Sequence, residues 1–350
     1  MSGGVDSTVA ALLLLRAGHE VEGVTFWFWD FPGAPDIGTR NRCCSIDDAT
    51  IAASQLGIPH RVLDAGDRFY ALVISEYLAR YRRGKTPNPC GRCNRSLRFG
   101  LALEIAAHEG FDYVATGHHV RIAAGAHGRC ELHRGCDDEK DQSYFLYGLQ
   151  GSDLSRLLFP VGEMTKDAVF AIARAEGLHA ADLPESQDLC FACEGSTDYL
   201  FDPEDLRTGP ILDREGRRVG THEGLPRYTI GQRRGLGISS SHPLYVIALD
   251  AERNALIVGQ EEDLLSDGLT ADDASFLDGT GPEEGAWIEV KIRYRSAPEP
   301  AAYSRLEERC YLLHFGHPLR AVTPGQLAVL YDGDRLLGGG TIAEATSADG

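Results

Sequence analysis

Seven residues, MSGGVDS, head the chain and lead straight into the apolar stretch TVAALLLLRAG. Gly3 and Gly4 let backbone amides approach an anion closely. A helix N-terminus adds unpaired N–H groups and the positive end of a dipole. Ser2 and Ser7 add hydroxyl donors. Asp6 would repel a bare phosphate but suits one that carries Mg²⁺. The plainer reading is a glycine turn with a Ser/Asp helix cap. As a phosphate loop, the stretch belongs after the first, central strand of a doubly wound parallel α/β sheet, at the mouth where such sheets bind nucleotides. Only Met1 precedes it in this sequence. We therefore expect a sheet whose first strand is missing, through a start codon assigned too late, because losing a central strand would expose the edges of its neighbours.

The pattern downstream supports an α/β start. STVAALLLLRAG reads as a helix stopped by Gly18, VEGVTFWF as a buried strand, and PGAPDIGTRNRCC as a loop. Ser45 caps a helix with Asp47 and Asp48 in its first turn, ending near Gly57. HRVLDA is a short strand. Phe69, Leu72, Val73 and Leu78 recur at helical spacing over residues 67–83, another helix runs from about Asn94 to Glu109, and YVATGHH follows as a strand. Strands separated by helices imply a parallel sheet covered on both faces. After about residue 200 short strands and turns take over, and from Ala286 alternation punctuated by Gly, Pro and Asp predicts a small β-barrel. The division expected is residues 1–200 as the catalytic domain, 201–268 as a small central β domain and 269–350 as the C-terminal barrel.

At 350 residues the chain is long enough for two or three domains. It has no apolar run able to span a bilayer, and its N-terminus lacks a signal or transit pattern. We expect a cytoplasmic protein with no membrane partner. Its nine cysteines then point to catalysis, metal or redox chemistry, not to a disulfide framework. Cys90-x-x-Cys93 and Cys190-x-x-Cys193 lie about a hundred residues apart, too far for a zinc ribbon's usual spacing. Zinc stays open without being the default reading, which is a thiol pair joined by folding. Cys93 is expected to begin a helix beside Arg92, Arg95 and Arg98, where dipole and cations lower a thiol's pKa. Cys43 and Cys44 are adjacent in a loop, and Cys130, Cys136 and Cys310 read as buried inert thiols. The net charge of −18 argues against a nucleic-acid partner for the surface as a whole. Between Arg80 and Arg98, however, RYRRGKTPNPCGRCNRSLR holds seven basic residues and no acidic one. A charge run is usually a solvated face; this one encloses two cysteines.

SGGVDS resembles the pyrophosphatase loop of enzymes that split ATP into AMP and pyrophosphate to adenylate a carbonyl oxygen; a P-loop would need G-x-x-x-x-G-K-[ST]. From residue 1 to about 344 the chain resembles the tRNA-specific 2-thiouridylase family. SGGVDS, TPNPxxxCN, ATGH, KDQSYFLY, FPVGE, LCF, GQRRGLGI, RYR, TPGQ and LGGG occur in the family's order. The resemblance implies an adenine-nucleotide alpha-hydrolase-like domain followed by two β domains. Met1, Ser2, Gly3, Gly4, Val5, Asp6, Ser7 and Phe26 would contact ATP, with Gly117 near its base or ribose. Cys93 would be the nucleophile and Cys190 the persulfide carrier, joined transiently as a Cys93–Cys190 disulfide. Asn88, Pro89 and Cys90 would lie against the target base. His118, Lys140, Asp141, Gln142, Arg293, Tyr294 and Gln326 would touch tRNA. Each of these polar residues also has an ordinary reading as surface turn, strand face or core histidine.

The implied reaction is ATP-dependent 2-thiolation of the wobble uridine in lysine, glutamate and glutamine tRNAs, by C2-oxygen adenylation and sulfur transfer from a persulfide. Its partners would be the tRNA anticodon loop and an upstream sulfur-relay or cysteine desulfurase protein. ATP and Mg²⁺ would be its cofactors. Many relatives carry Asp where this chain has Cys90, so an iron–sulfur cluster on Cys90, Cys93 and Cys190 is a second sulfur route, less favoured than the thiol route. An amide-forming adenylating ligase and a tRNA-binding paralogue without turnover are the rival functions.

Overall fold

The computed structural model describes residues 1–28, 45–125, 128–185, 189–193 and 195–347. The expected loop PGAPDIGTRNRCC, with Cys43 and Cys44, lies outside them.

Helix α1 (Val5–Arg16) begins as expected, with Gly4 at its N-cap, and Gly18 leaves it at φ 87°. Strand β1 (Gly23–Trp27) pairs in parallel with β2 (His60–Asp64), from Gly23 opposite His60 to Trp27 opposite Asp64. Between them α2 (Ile46–Leu56) is capped by Ser45, whose Oγ accepts from the Asp48 amide, and Gly57 closes it in the left-handed region. Met1 runs beside β1. Its amino group donates to the Val24 carbonyl, and its own carbonyl accepts from Thr25 Oγ1 at 2.7 Å. A second parallel pair, β3 (Val114–Ala115) with β6 (Leu157–Leu158), completes the described α/β strands. Helix α5 (Lys166–Ala175) packs on α1 through Val5, Val9, Val169 and Ala173. The first domain is thus α/β with parallel pairing.

Two helical runs differ from expectation. The run over 67–83 is Gly66–Phe69, a π turn at Tyr70–Ile74 and Ser75–Arg82. The helix expected from Asn94 starts five residues earlier, as α3 (Pro89–Cys93), continues through a π turn at Asn94–Arg98 and ends as α4 (Phe99–Glu109). Asn88 explains the early start. Its side chain accepts from the Cys90 amide at 3.2 Å, and Pro89 occupies the first helical position, where its missing N–H costs nothing. Cys90 therefore sits in the first turn, and Cys93 closes α3 instead of opening a helix.

The hairpin β4 (Val120–Ala124) and β5 (Cys130–Arg134) was not expected. The central β domain is a four-stranded sheet, β7 (Gly209–Leu212), β8 (Arg218–His222), β9 (Tyr245–Asp250) and β10 (Ala255–Gly259), in the order β8-β7-β10-β9. Six strands then close into a barrel: β11 (Leu265–Phe276), β12 (Trp287–Lys291), β13 (Glu299–Glu307), β14 (Cys310–Arg320), β15 (Leu327–Asp332) and β16 (Arg335–Thr346). The order is β11-β14-β13-β12-β15-β16, and β16 pairs back onto β11 from Gly268–Thr346 to Phe276–Gly338. Closure leaves no strand edge. Leu269, Val290, Tyr303, Tyr311, Leu313, Leu330 and Ile342 fill the interior. The β4–β5 hairpin extends this sheet, with His133 opposite Arg335. Phe99, Leu132, Tyr144, Leu327 and Tyr331 form one apolar cluster that ties the barrel to the first domain. Among the described residues no helix is long and apolar enough to cross a membrane.

Candidate active site

The opening loop is organised by its own hydroxyls. Ser7 Oγ donates to the Gly4 carbonyl at 3.0 Å and lies 3.1 Å from Ser2 Oγ, while Thr8 Oγ1 donates to the same carbonyl at 3.0 Å. Gly3 has φ 81°, and a Cβ there would fall 2.6 Å from Asp48 and Ala49, so α2 braces the loop from behind. Gly117 braces it from in front. A Cβ on Gly117 would lie 2.5 Å from the Asp6 carbonyl carbon and 2.6 Å from the Ser7 amide nitrogen.

Asp6 is not left facing solvent. The Lys166 ammonium donates to both its carboxylate oxygens, at 2.7 and 2.6 Å, and His119 Nε2 lies 3.1 Å from Oδ1. Burial raises the Asp6 pKa, but the His119 hydrogen bond and the Lys166 charge outweigh it, and the net shift is downward. Lys166 also lies 3.1 Å from Glu185, whose other oxygen is 2.8 Å from Lys140 Nζ. Lys166, His119 and Glu185 were not foreseen. One signal was available for Lys166: a cation in the first turn of a helix opposes the dipole there and calls for an anion nearby. A single carboxylate is a donor that Mg²⁺ accepts beside phosphates; Asp6, held here by Lys166 and His119, would supply it.

The loop opens into a cavity of about 800 Å³, within the range of small-molecule sites. Met1, Ser2, Asp6 and Ser7 line one part of it, together with Phe26 and Gly117. Cys90, Cys93 and Cys190 line another. Chain distant in sequence is thus joined in one chamber. Cys93 is buried among Phe28, Phe69, Leu97 and Phe191, with Cys190 and Cys193 packed against the same cluster. Cys190 stands as a thiol, so the Cys93–Cys190 disulfide is not formed here. Among the described residues no group of three or more His, Cys, Asp or Glu converges closely enough to hold a metal ion. Of the other cysteines, Cys130 and Cys310 are half-buried; Cys136, expected to be buried, is exposed in the turn after β5.

Helical spacing sorts the basic residues around Cys93. Cys90, Cys93, Asn94 and Arg98 face the large cavity, whereas Arg92, Arg95 and Ser96 line a separate pocket on the opposite side. Arg98 lies over the Phe28 ring at 5.5 Å. Of the three arginines expected beside Cys93, only Arg98 shares its chamber.

The remaining expected contacts divide into two groups. His118 and Gln142 line the large cavity. His118 Nδ1 is 2.8 Å from Thr116 Oγ1, and desolvation together with Arg98 holds its pKa far below the usual imidazole range, so the ring is neutral at pH 7. Gln142 accepts from the His119 amide at 3.0 Å. Tyr294 reaches the chamber wall by packing on Phe145, with ring centroids 4.5 Å apart. The second group is bonded to the protein's own groups. Asp141 is buried, accepting from the Gly135 and Ser143 amides at 3.1 Å and from Ser143 Oγ at 2.9 Å. Arg293 donates to the Ala321 carbonyl at 2.5 Å, and Gln326 donates to the Thr86 carbonyl at 2.9 Å. In this structure these three brace loops and domain contacts.

Residues 1–194 match a family model described as tRNA methyl transferase HUP domain. Residues 198–260 match one described as tRNA methyl transferase PRC-barrel domain, and 266–342 one described as Aminomethyltransferase beta-barrel domain. Proteins named tRNA-specific 2-thiouridylase MnmA are similar over almost the whole chain. That of Roseiflexus castenholzii is 47% identical, covering 98% of this chain and 98% of its own. That of Chloroflexus aggregans is 47% identical over 98% and 97%, and that of Geobacter metallireducens 46% over 99% and 96%.

Proposed function

The chain belongs to the tRNA-specific 2-thiouridylase family, and from that premise we propose that it thiolates the C2 position of the wobble uridine in lysine, glutamate and glutamine tRNAs, using ATP. One observation carries the reading: the phosphate loop and the thiols of Cys93 and Cys190 line a single chamber. Adenylation needs the first and sulfur transfer the second. The methyl transfer named in the family descriptions would use neither.

Uridine's C2 oxygen is a poor leaving group, so it is first made a good one. The oxygen attacks the α-phosphorus of ATP and pyrophosphate departs. Loop amides and the Ser2 and Ser7 hydroxyls stabilise the charge that develops on the phosphates, and Mg²⁺ held by Asp6 would add to that stabilisation. A persulfide on Cys190, delivered by a separate sulfur-carrying protein, attacks C2 through its terminal sulfur, and AMP leaves. The Cys93 thiolate then attacks the Cys190 sulfur. The Cys93–Cys190 disulfide forms, the sulfur–sulfur bond to the base breaks, and 2-thiouridine is released. Two equivalents of an external thiol reduce the disulfide before the next cycle and leave as their own disulfide. The target base must leave the anticodon stack to enter such a chamber, as unstacked loop bases do when proteins read them.

ATP–pyrophosphate exchange with and without tRNA tests the first half, and mass spectrometry of nucleosides after reaction tests the second. tRNA-dependent exchange with a sulfur-for-oxygen mass shift on uridine is the expected result. Exchange driven by a small carboxylic acid without tRNA would point to an amide-forming ligase. Absence of exchange in the presence of bound tRNA would point to a binding paralogue.

A further inference from the structure

A second pocket, of about 220 Å³, lies between the first domain and the barrel. Arg80, Arg92 and Arg95 line it from the first domain and Arg309 from the barrel, against only two carboxylates, Glu76 and Asp273. Glu76 is engaged by Arg80 at 2.7 Å. Asp273 is shared by Arg309 and, at 3.5 Å, by Arg95. Arg92 donates through Nε to the Leu72 carbonyl at 2.6 Å and meets no carboxylate through that atom. Four guanidinium groups thus share two anions in a concave, partly desolvated site.

Asp273 adopts the left-handed region at φ 50°, where the pairing of β11 with β16 slips between Asp272 and Ser275. Such a bulge re-aims side chains away from the regular ladder. Here it holds Asp273 against the arginines at the domain junction.

The pocket is also lined by Asn88 and Pro89. Pro89 lies on both its wall and that of the large chamber, where Cys90 and Cys93 stand. Pro89 therefore places the two pockets side by side, so that a base in the chamber and a neighbouring phosphate in the arginine pocket can belong to one RNA strand. We propose that this arginine pocket binds a backbone phosphodiester of the RNA next to the target uridine, and that Arg309 brings the barrel into that contact. Planar guanidinium forks match phosphate oxygens in pairs. The inference rests on the reading of the protein as an RNA-modifying enzyme.

The experiment is filter binding of a tRNA anticodon stem-loop across a salt series, with wild type, Arg309→Gln, the double variant Arg80→Gln/Arg309→Gln, and Arg309→Lys. Melting temperatures confirm that each variant is folded. Arg309→Gln should weaken binding by about tenfold, the equivalent of one charge-assisted hydrogen bond. It should reduce the slope of log K against log salt by about 0.7, the single-strand value for one neutralised phosphate. Arg309→Lys should keep the slope and bind with intermediate affinity. Stem-loops with one methylphosphonate each locate the phosphate. One position beside the target uridine should weaken wild-type binding most and the double variant Arg80→Gln/Arg309→Gln least. An unchanged slope in the double variant, or a methylphosphonate penalty as large in the double variant as in wild type, overturns the inference while leaving the function intact. Failure of the wild type to bind the stem-loop overturns both.

Discussion

The Lys166 ammonium lies 2.6 Å from the Asp6 carboxylate, joining the first turn of α5 to the phosphate loop across 160 residues of sequence. Lys166 is nearly buried and also touches Glu185 at 3.1 Å. Without it, Asp6 would keep only His119 as a partner and would repel the phosphates of an incoming nucleotide. Lys166→Met should therefore raise the dissociation constant of a non-hydrolysable ATP analogue by about tenfold, with Lys166→Arg intermediate. Isothermal titration calorimetry measures it, and an unchanged constant would show that Lys166 only braces the loop.

The same pair sets a pH dependence. Burial raises the Asp6 pKa, but His119 and Lys166 lower it further, so the folded value lies below the unfolded one, near 3.9. A depressed carboxylate stabilises the fold above its unfolded pKa and loses that contribution as pH falls through the folded value. The stability gap between wild type and Asp6→Asn, from urea unfolding, should be full at pH 5 and shrink towards pH 3. A gap that widens on acidification would reverse the sign argued here.

Gly117 offers a steric test of the loop. An added Cβ would strike the backbone of Asp6 and Ser7 at 2.5–2.6 Å, and backbone cannot swing aside as a side chain can. Gly117→Ala should displace the loop and abolish ATP binding in a protein that still binds tRNA. Near-normal ATP affinity in this variant would mean that the loop yields without losing its function.

How much of the molecule is legible in its sequence depends on the range of the signal. The loop, the Ser45 cap and the Gly18 and Gly57 stops are local, and the chain shows them. The early start of α3 is also local but escapes notice, because Asn88-Pro89 reads equally as a turn. Strand β11 is hidden because its interior Asp272 and Asp273 break the alternation at a bulge, and the β4–β5 hairpin because it is completed by β16, two hundred residues on. Three site residues, His119, Lys166 and Glu185, are defined by what they touch. Only folding brings them to Asp6 or to one another. Asp141 shows the converse: a charged residue in a surface-like run, KDQ, proves to be buried and hydrogen-bonded.

The cysteines separate two sulfur routes. Cys90, Cys93 and Cys190 line one chamber without converging on a metal-binding geometry. Protein purified without oxygen should contain no stoichiometric iron or acid-labile sulfide. Cys93→Ser and Cys190→Ser should abolish thiolation, while Cys90→Ser should remain near wild type. Stoichiometric iron that disappears together with activity in all three variants would establish the cluster route instead.

The last prediction divides the basic run between fold and ligand. Arg82 lies within it, yet its guanidinium contacts Asp202 at 2.9 Å and Asp205 at 2.8 Å, tying the helix Ser75–Arg82 to the segment that precedes the central β domain. An arginine already paired twice has little charge to offer a phosphate. Arg83 and Lys85, which follow it in the run, are respectively exposed and half-buried. Arg82→Gln should thus lower the melting temperature and leave the salt dependence of tRNA binding as in wild type. Arg83→Gln/Lys85→Gln should do the opposite, keeping the melting temperature and flattening the salt slope by about 0.7 for each phosphate no longer neutralised. If Arg82→Gln flattened the slope instead, its carboxylate partners would have to let go when RNA binds, and the run would act as one surface.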